Sequence, residues 1–422
     1  MASPPFEGIR VVEFGQFVAV PFCGQVLAEG GAEIIKVESP EGDPNRHMGE
    51  VAPGESRIFI SRNRGKHALP LKLSDPGAKK VIDALLDWAD VVLMNFRPGL
   101  AGKMGLDASE LQQQFPRLII GEITPFGKAG PDAALPGMDI VVQARTGLMA
   151  AMGRIVDDRP APGDPVISDY MAAMSLAYGV ASALFRRERT GKGGVVDVSL
   201  MKAAMTLTNN QLVRAEDLDR DRHQAEIEHL NRLRQQGATF AEQLASASSA
   251  RVLPLRAVYF RTFDTGDAAI AVACASRGLQ ERFIKALGLE DLGHVRGEAS
   301  PGDDYYLALA REVEDLIRSR PAEHWLSVLR EAGVPTSTVK LPVEMFEDEQ
   351  AIANDMFYFA EHGTAGRFRV LSPPVSLDDN GFTGQPLTAP FGSETVSILS
   401  ELGFSASDID ALLASGITTQ SL

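Results

Sequence analysis

One carboxylate in this sequence stands in a setting that suits covalent chemistry. Asp169 lies in the run Gly163-Asp164-Pro165-Val166-Ile167-Ser168-Asp169-Tyr170, whose turn residues lead into an apolar helix pattern from Met171 to Phe185. An aspartate with an ordinary pKa near ~3.9 is already an anion at neutral pH and needs no base to activate it. It is a weak nucleophile, useful only against an activated acyl group such as a thioester. A helix N-terminus would stabilise its charge by only ~0.3–1 kcal/mol. The competing role is structural, because Ser168 and Asp169 at a helix start read as an N-cap pair. Ser168 alone could cap, which would leave the second acid redundant. On the residues alone, capping stands slightly ahead.

Other catalytic signatures are missing from the sequence: no G-x-S-x-G, no H-E-x-x-H, no P-loop and no C-x-x-C. The 7 histidines are scattered without ligand spacing and read as surface groups, so no metal site is expected. Cys23 and Cys274 each sit in an apolar run and read as buried small hydrophobes, which suits a reducing cytoplasm. A net charge of −15 opposes a nucleic-acid partner, and any anionic ligand needs cations gathered locally. Met1 to Pro5 lacks the basic and apolar regions of a signal peptide. Tyr170 to Phe185 is too short and too rich in Ala and Ser for a membrane span, and reads as a buried core helix.

The elements that must position Asp169 follow an α/β pattern. Ile9 to Phe14 is a strand ending at Gly15, Pro21 to Gly30 a helix, and Glu33 to Val37 the next strand, which together imply a parallel βαβ unit. Glu38 at that strand's end invites a dinucleotide reading. Gly15 to Gly24 lacks G-x-G-x-x-G, however, so the nicotinamide cofactor loses its phosphate turn. Ala78 to Trp88 reads as a helix, Ala89 to Met94 as a buried strand, and Asn95-Phe96-Arg97-Pro98-Gly99 as a loop at that strand's C-terminal end. Open α/β sheets bind ligands at that edge, so Asn95, Phe96, Arg97 and Lys103 are binding candidates. An Asn-initiated turn with exposed cations is an equal alternative.

Further strands are expected at Leu118 to Gly121 and Val195 to Val198, and a helix at Asp139 to Ala151. Val213 to Gln243 reads as charged bridging helices broken at Gly237, and Arg256 to Ala275 as a hairpin followed by helices. A helix near Val343 to Asn354, a strand at Arg367 to Leu371 and a helix near Glu394 to Leu402 close the chain. At 422 residues, two domains are expected.

A series of segments runs through the chain in a specific order: Val12-Glu13-Phe14, Ala32 to Glu38 with Gly42-Asp43-Pro44, Asn63-Arg64-Gly65-Lys66, Asn95 to Gly99 and Met104-Gly105-Leu106. Gly127 to Pro131, Pro136-Gly137-Met138-Asp139, Asp169-Tyr170, Arg187 to Gly191, Val196 to Leu200 and Ala332 to Pro335 continue it. No single piece is decisive, but the ordered set resembles the family III CoA-transferases, which include formyl-CoA transferase, L-carnitine CoA-transferase and the α-methylacyl-CoA racemases.

The resemblance implies that Asp169 attacks an acyl-CoA thioester and carries acyl–aspartyl anhydride and aspartyl-CoA thioester intermediates. CoA then passes to an acceptor carboxylic acid. It implies CoA along loops holding Phe17, Leu71, Asn95, Phe96 and Lys103, with Arg97 sharing the load because Lys103 replaces a commoner arginine. Asp139 falls beside the matching substrate pocket. CoA and acyl-CoA enter as substrates, with no tightly bound cofactor. A racemase would carry histidine at Met138, which cannot exchange protons. Val18 replaces the glutamine of formyl-CoA transferase, and Arg251 to Tyr259 lacks its glycine-rich loop, so a larger or more apolar acyl group is expected. Val20 replaces a usual glycine before Pro21. A non-catalytic CoA-binding protein remains the alternative outside enzymology.

The implied fold is a Rossmann-like large α/β domain with a parallel sheet, plus a smaller α+β domain, in an interlocked cytoplasmic homodimer. Residues 1–200 would begin the large domain, 201–250 form a helical linker, 251–332 the small domain, and 333–422 the second linker and return.

Overall fold

A computed structural model of the chain describes residues 3–247, 254–294, 301–378 and 381–421. They form two compact units. One comprises Met1–Ala225, Thr239–Ala241 and Ala353–Leu422; the other comprises Glu226–Ala238 and Glu242–Ile352.

The first unit is organised by six strands: β1 (Arg10–Phe14), β2 (Glu33–Glu38), β3 (Lys66–Pro70), β4 (Val91–Met94), β5 (Ile119–Thr124) and β6 (Gly194–Ser199). They lie in the order β6-β5-β4-β1-β2-β3, and every pairing is parallel. Short, almost wholly apolar runs such as Val91 to Met94 suit this arrangement, because a parallel sheet is covered on both faces. The two-residue period divides them. Val11, Ile34, Val91, Leu93 and Ile119 enter one core, while Val12, Ile35, Val92, Met94 and Ile120 enter the other.

Six helices matter for the site: α1 (Ala19–Glu29), α2 (Arg57–Asn63), α3 (Lys79–Trp88), α4 (Asp139–Arg145), α5 (Ile167–Thr190) and α6 (Leu200–Leu207). α3 covers the second core with Val81, Ile82, Leu85 and Leu86. α5 covers the first with Ala172, Ala173, Leu176, Ala177 and Val180, small residues that let the helix lie close to the sheet. A Cβ at Gly179 would stand 2.4 Å from Val196 of β6, so that position must be glycine. Among the described residues, no helix is long and apolar enough to cross a membrane.

The chain builds β1-β2-β3 outward on one side, then returns to build β4-β5-β6 on the other. β1 and β4 are therefore neighbours whose connections leave in opposite directions, and a crevice opens beyond their C-terminal ends.

A buried ion network fixes the residues that follow β1. Glu13 lies between Lys36 Nζ at 3.1 Å and Lys66 Nζ at 2.8 Å, and all three side chains are fully buried. Lys36 also pairs with Asp43 at 3.1 Å and donates to the Gly15 carbonyl at 2.6 Å. Lys66 donates to the Pro21 carbonyl at 2.6 Å and to Asn63 Oδ1 at 2.9 Å. Gly24 makes room on α1, since a Cβ there would meet Glu13 Oε2 at 2.0 Å. Burial works against the charge on Lys36, but Glu13, Asp43 and Glu38 together hold its pKa above the usual lysine value. Burial pushes Lys66 down to about 8, with the Lys36 charge adding to the fall and Glu13 opposing it. Arg46 extends the network, gripping Glu38 with two bonds of 2.8 Å and Glu55 at 2.6 Å.

Four expectations change. β3 is a strand that the polar Lys66-His67 start concealed; its Pro70 is tolerated because the strand lies at the sheet edge. Asp139 to Ala151 is not one helix, since Gly147 takes a left-handed φ of 79° between Asp139–Arg145 and Leu148–Ala151. The hairpin begins only at Phe260, after a helix at Pro254–Tyr259, while Arg251 to Leu253 lie outside the described residues. The Val343 to Asn354 segment divides into a 3-10 turn at Pro342–Glu347 and a short helix at Glu349–Ala353, because Asp348 is extended.

The second unit holds its own core, in which Tyr259, Phe263, Phe283, Val313, Ile317 and Leu329 pack together. Its sheet is antiparallel, formed by Phe260–Asp264, Ala269–Ala273 and Thr336–Thr338. The charged helix Arg220–Gln235 buries none of its residues.

Replacing Glu13 by alanine leaves the buried Lys66 ammonium without its carboxylate and Lys36 with Asp43 alone. Glu13→Ala is expected to lower stability by about 3–5 kcal/mol. Urea unfolding followed by far-UV circular dichroism measures it, and an unchanged midpoint would show that the network contributes nothing.

Candidate active site

The turn after β1 is held from three directions. Lys36 takes the Gly15 carbonyl at 2.6 Å, and Asn45 Nδ2 donates to the Phe17 carbonyl at 2.6 Å. Asn95, just past β4, makes a reciprocal pair with Gln16: its Oδ1 accepts from the Gln16 N–H at 3.1 Å and its Nδ2 donates to the Gln16 carbonyl at 2.9 Å. These bonds hold Phe17 at a φ of 67°, a left-handed conformation that costs a non-glycine residue of order 1–3 kcal/mol. Asn95 thus braces the turn after β1 and lines the crevice, its side chain bonding Gln16 rather than starting a turn in its own loop.

Beyond this turn lies a cleft of about 880 Å³, lined by residues following β1, β2, β3, β4 and β5. That volume lies within the ~300–1,000 Å³ common for small-molecule sites. Phe17, Leu71, Asn95, Phe96 and Arg97 all line it, as does Met138. Lys103 is exposed on the helix Leu100–Lys103 and does not line it. Val18 is buried at the start of α1, also off the lining. Lys72 is a lining cation that sequence reasoning missed, although it directly follows Leu71. Glu38 is spent on Arg46 and on the Asp43 N–H at 2.8 Å, so it offers no carboxylate to a ribose.

The mouth of α5 corrects the capping expectation. Neither Ser168 nor Asp169 caps this helix. Asp139, the first residue of α4, is buried, and its Oδ1 accepts from the backbone N–H of Ser168 at 2.8 Å and of Asp169 at 3.3 Å. Gln143, one turn further along α4, donates to Asp139 Oδ2 and exchanges two bonds with the Gly163 backbone, at 2.9 and 3.2 Å. The Ser168 hydroxyl is buried with no hydrogen-bond partner among the described residues. Asp139 follows Met138 directly, so the cleft wall and the cap share one stretch of chain. No motif signals such a cap, because its two halves are 29 residues apart.

Asp169 is left with a free, half-buried carboxyl. Burial raises its pKa from 3.8 to about 7, the nearby Asp139 charge adds to the rise, and the positive field of Arg62 opposes it. Arg62 was also missed from the sequence, though it immediately precedes the Asn63-Arg64-Gly65-Lys66 segment. Tyr170, next after Asp169, accepts a bond from Arg62 Nε at 3.3 Å and packs edge-on against Phe22, with ring centres 4.8 Å apart. Among the described residues, no group of three or more His, Cys, Asp or Glu could hold a metal ion.

Between pH 3.8 and about 7 the folded chain holds a proton on Asp169 that the unfolded chain releases. Stability contributed by this site is therefore greatest below that window and falls as pH rises through it. Asp169→Asn removes the dependence. Its urea midpoint, relative to wild type, should rise steadily from pH 4 to pH 7; a constant difference across that range would mean an ordinary carboxyl.

Comparison with known proteins places this geometry. The model of CoA-transferase family III matches residues 6–393. The cinnamoyl-CoA:phenyllactate CoA-transferase of Clostridium sporogenes is 30% identical over 96% of this chain and 95% of its own. A probable fatty acyl-CoA transferase of Mycobacterium tuberculosis, Rv3272, is 32% identical over 79% of this chain and 82% of its own. The orthorhombic crystal structure of Rv3272 superposes with a TM-score of 0.74 at 28% identity, covering 94% of this chain and 99% of that one. A CAIB/BAIF family protein from Brucella suis gives the same TM-score of 0.74 at 25% identity, covering 95% and 100%. A six-stranded parallel sheet with a ligand-sized cleft at its switch point and a family match over most of the length lead to one assignment: the chain belongs to the family III CoA-transferases.

Proposed function

We propose that this CoA-transferase moves CoA from an acyl-CoA to a carboxylic acid through covalent intermediates on Asp169. A carboxylate oxygen of Asp169 attacks the thioester carbonyl, the C–S bond breaks, and CoA leaves as a thiolate, giving an acyl–aspartyl anhydride. The thiolate then attacks the aspartyl carbonyl and releases the donor acid. The acceptor carboxylate attacks the resulting aspartyl-CoA thioester, and the returning thiolate takes the acceptor acyl group and frees Asp169. The observation that carries this reading is the cap supplied by Asp139, which leaves the Asp169 carboxyl uncommitted at the helix mouth. A carboxyl raised to about 7 is also more basic, and so more nucleophilic, than an ordinary aspartate.

CoA is assigned to the cleft of Phe17, Leu71, Asn95, Phe96 and Arg97, with Lys72 added from the geometry and Lys103 kept nearby from the resemblance. Val18, Met138 and Asp139 are retained from the resemblance as the substrate side, where Val18 in place of a glutamine favours a larger or more apolar acyl group. The relatives are named for cinnamoyl, fatty acyl, acetyl, formyl and succinyl donors, so the family alone selects no single acid. A racemase is disfavoured by Met138, which has no proton to exchange. The interlocked homodimer, the linker-joined domain plan and a cytoplasmic site rest on the resemblance.

Mass spectrometry of CoA products from a panel of acyl-CoAs and acids tests the reaction class. Asp169→Ala should lose turnover while still binding CoA, and hydroxylamine with acyl-CoA should mark Asp169 of the wild type. Full activity in Asp169→Ala overturns the mechanism. Because the anion is the nucleophile, kcat/KM should fall about tenfold per pH unit below the Asp169 pKa of about 7. A profile flat down to pH 5 would contradict it.

A further inference from the structure

Arg62 differs from the residues that follow it. Asn63 and Lys66 belong to the Glu13 network, and Arg64 pairs with Glu29 at 3.2 Å. Arg62 stays partly exposed, with its Nε bonded to the Tyr170 hydroxyl at 3.3 Å and its guanidinium carbon 5.7 Å from the Tyr170 ring centre. No carboxylate of the described residues lies within 4.0 Å of its nitrogens. Tyr170 is itself braced by Phe22. The guanidinium is therefore oriented through Nε while its two terminal amino groups face no protein anion. A fork of that kind matches a planar carboxylate and holds it by paired, charge-assisted bonds. It stands beside the helix turn that carries Asp169, close enough for its field to act there, yet too far to form an ion pair.

We infer that Arg62 anchors the carboxylate of the acceptor acid, presenting one of its oxygens to the carbonyl carbon of the Asp169–CoA thioester. The inference rests on the CoA-transfer reading and names the group that receives its second substrate. The acceptor oxygen forms a bond to the aspartyl carbonyl carbon, the C–S bond breaks, and the electron pair leaves on the CoA thiolate. Arg62 stays protonated throughout and transfers nothing. The first attack on the donor thioester involves no carboxylate other than Asp169, so Arg62 has no substrate anion to hold at that step. Its role falls on the steps in which a free carboxylate leaves or attacks the aspartyl carbonyl, the donor's departure and the acceptor's entry, and not on the first attack.

Arg62→Gln tests this with acetate and 3-phenylpropanoate as acceptors and one acyl-CoA that supports wild-type turnover. Formation of the hydroxylamine-trapped Asp169 adduct should be unchanged, while the KM for the acid rises about 10- to 100-fold, the loss expected for hydrogen bonds to a charged group. Arg62→Lys should recover part of the affinity, having the charge without the fork. An unaltered acid KM overturns the inference, as does an equal loss in adduct formation and acid capture, which would make Arg62 a modulator of the Asp169 charge alone. Both outcomes leave CoA transfer standing. If no acyl-CoA and acid of the panel supports wild-type turnover or an Asp169 adduct, the transfer reading and the inference fall together.

Discussion

The site depends on charges that never meet solvent. Glu13, Lys36, Lys66 and Asp43 lie in the layer between the sheet and α1, where each alone would be severely penalised by desolvation. Together they are satisfied, and their spare donors reach backbone carbonyls at Gly15 and Pro21. Apolar residues of similar volume could fill the same space, but they could not bond those carbonyls. The network's contribution is geometric: it holds the end of β1 and the start of α1 open in one conformation, with Phe17 left-handed at the crevice. Asn45, tied to the same region through the Asp43 carboxylate, completes the hold on Phe17.

A second constraint separates two neighbouring carboxylates into different roles. Asp139 is buried and accepts two backbone N–H groups, which commit it to α5. Asp169 receives no such bonds to its side chain and carries the cost of burial beside a like charge. The same residue type therefore serves as a helix cap in one place and as an uncommitted carboxyl in the other. Arg62 tempers the difference without pairing.

Many of the segments that carried the family resemblance prove to be scaffold. Val12-Glu13-Phe14, Lys36 to Glu38, Gly42-Asp43-Pro44 and Asn63 to Lys66 converge on one buried network. β1, β2, β4, β5 and β6 were legible from apolar runs bounded by turn residues, whereas β3 was hidden by a lysine that the interior needs as an ion. Lys72 and Arg62 escaped notice because neither stands in a recognisable spacing; each matters through what lies opposite in space.

The sequence by itself determined the parallel α/β class, the loops at the sheet's C-terminal edge and the position of the carboxylate at a helix mouth. These follow from local periodicity and turn chemistry, and from motifs whose order along the chain is specific. Only the tertiary structure decided what that carboxylate is free to do. A helix start leaves four backbone N–H groups without partners in the helix, and the sequence around Asp169 contained two candidates to accept from them. The fold brings a third, Asp139, from 30 residues away, and so releases Asp169 from the helix it begins.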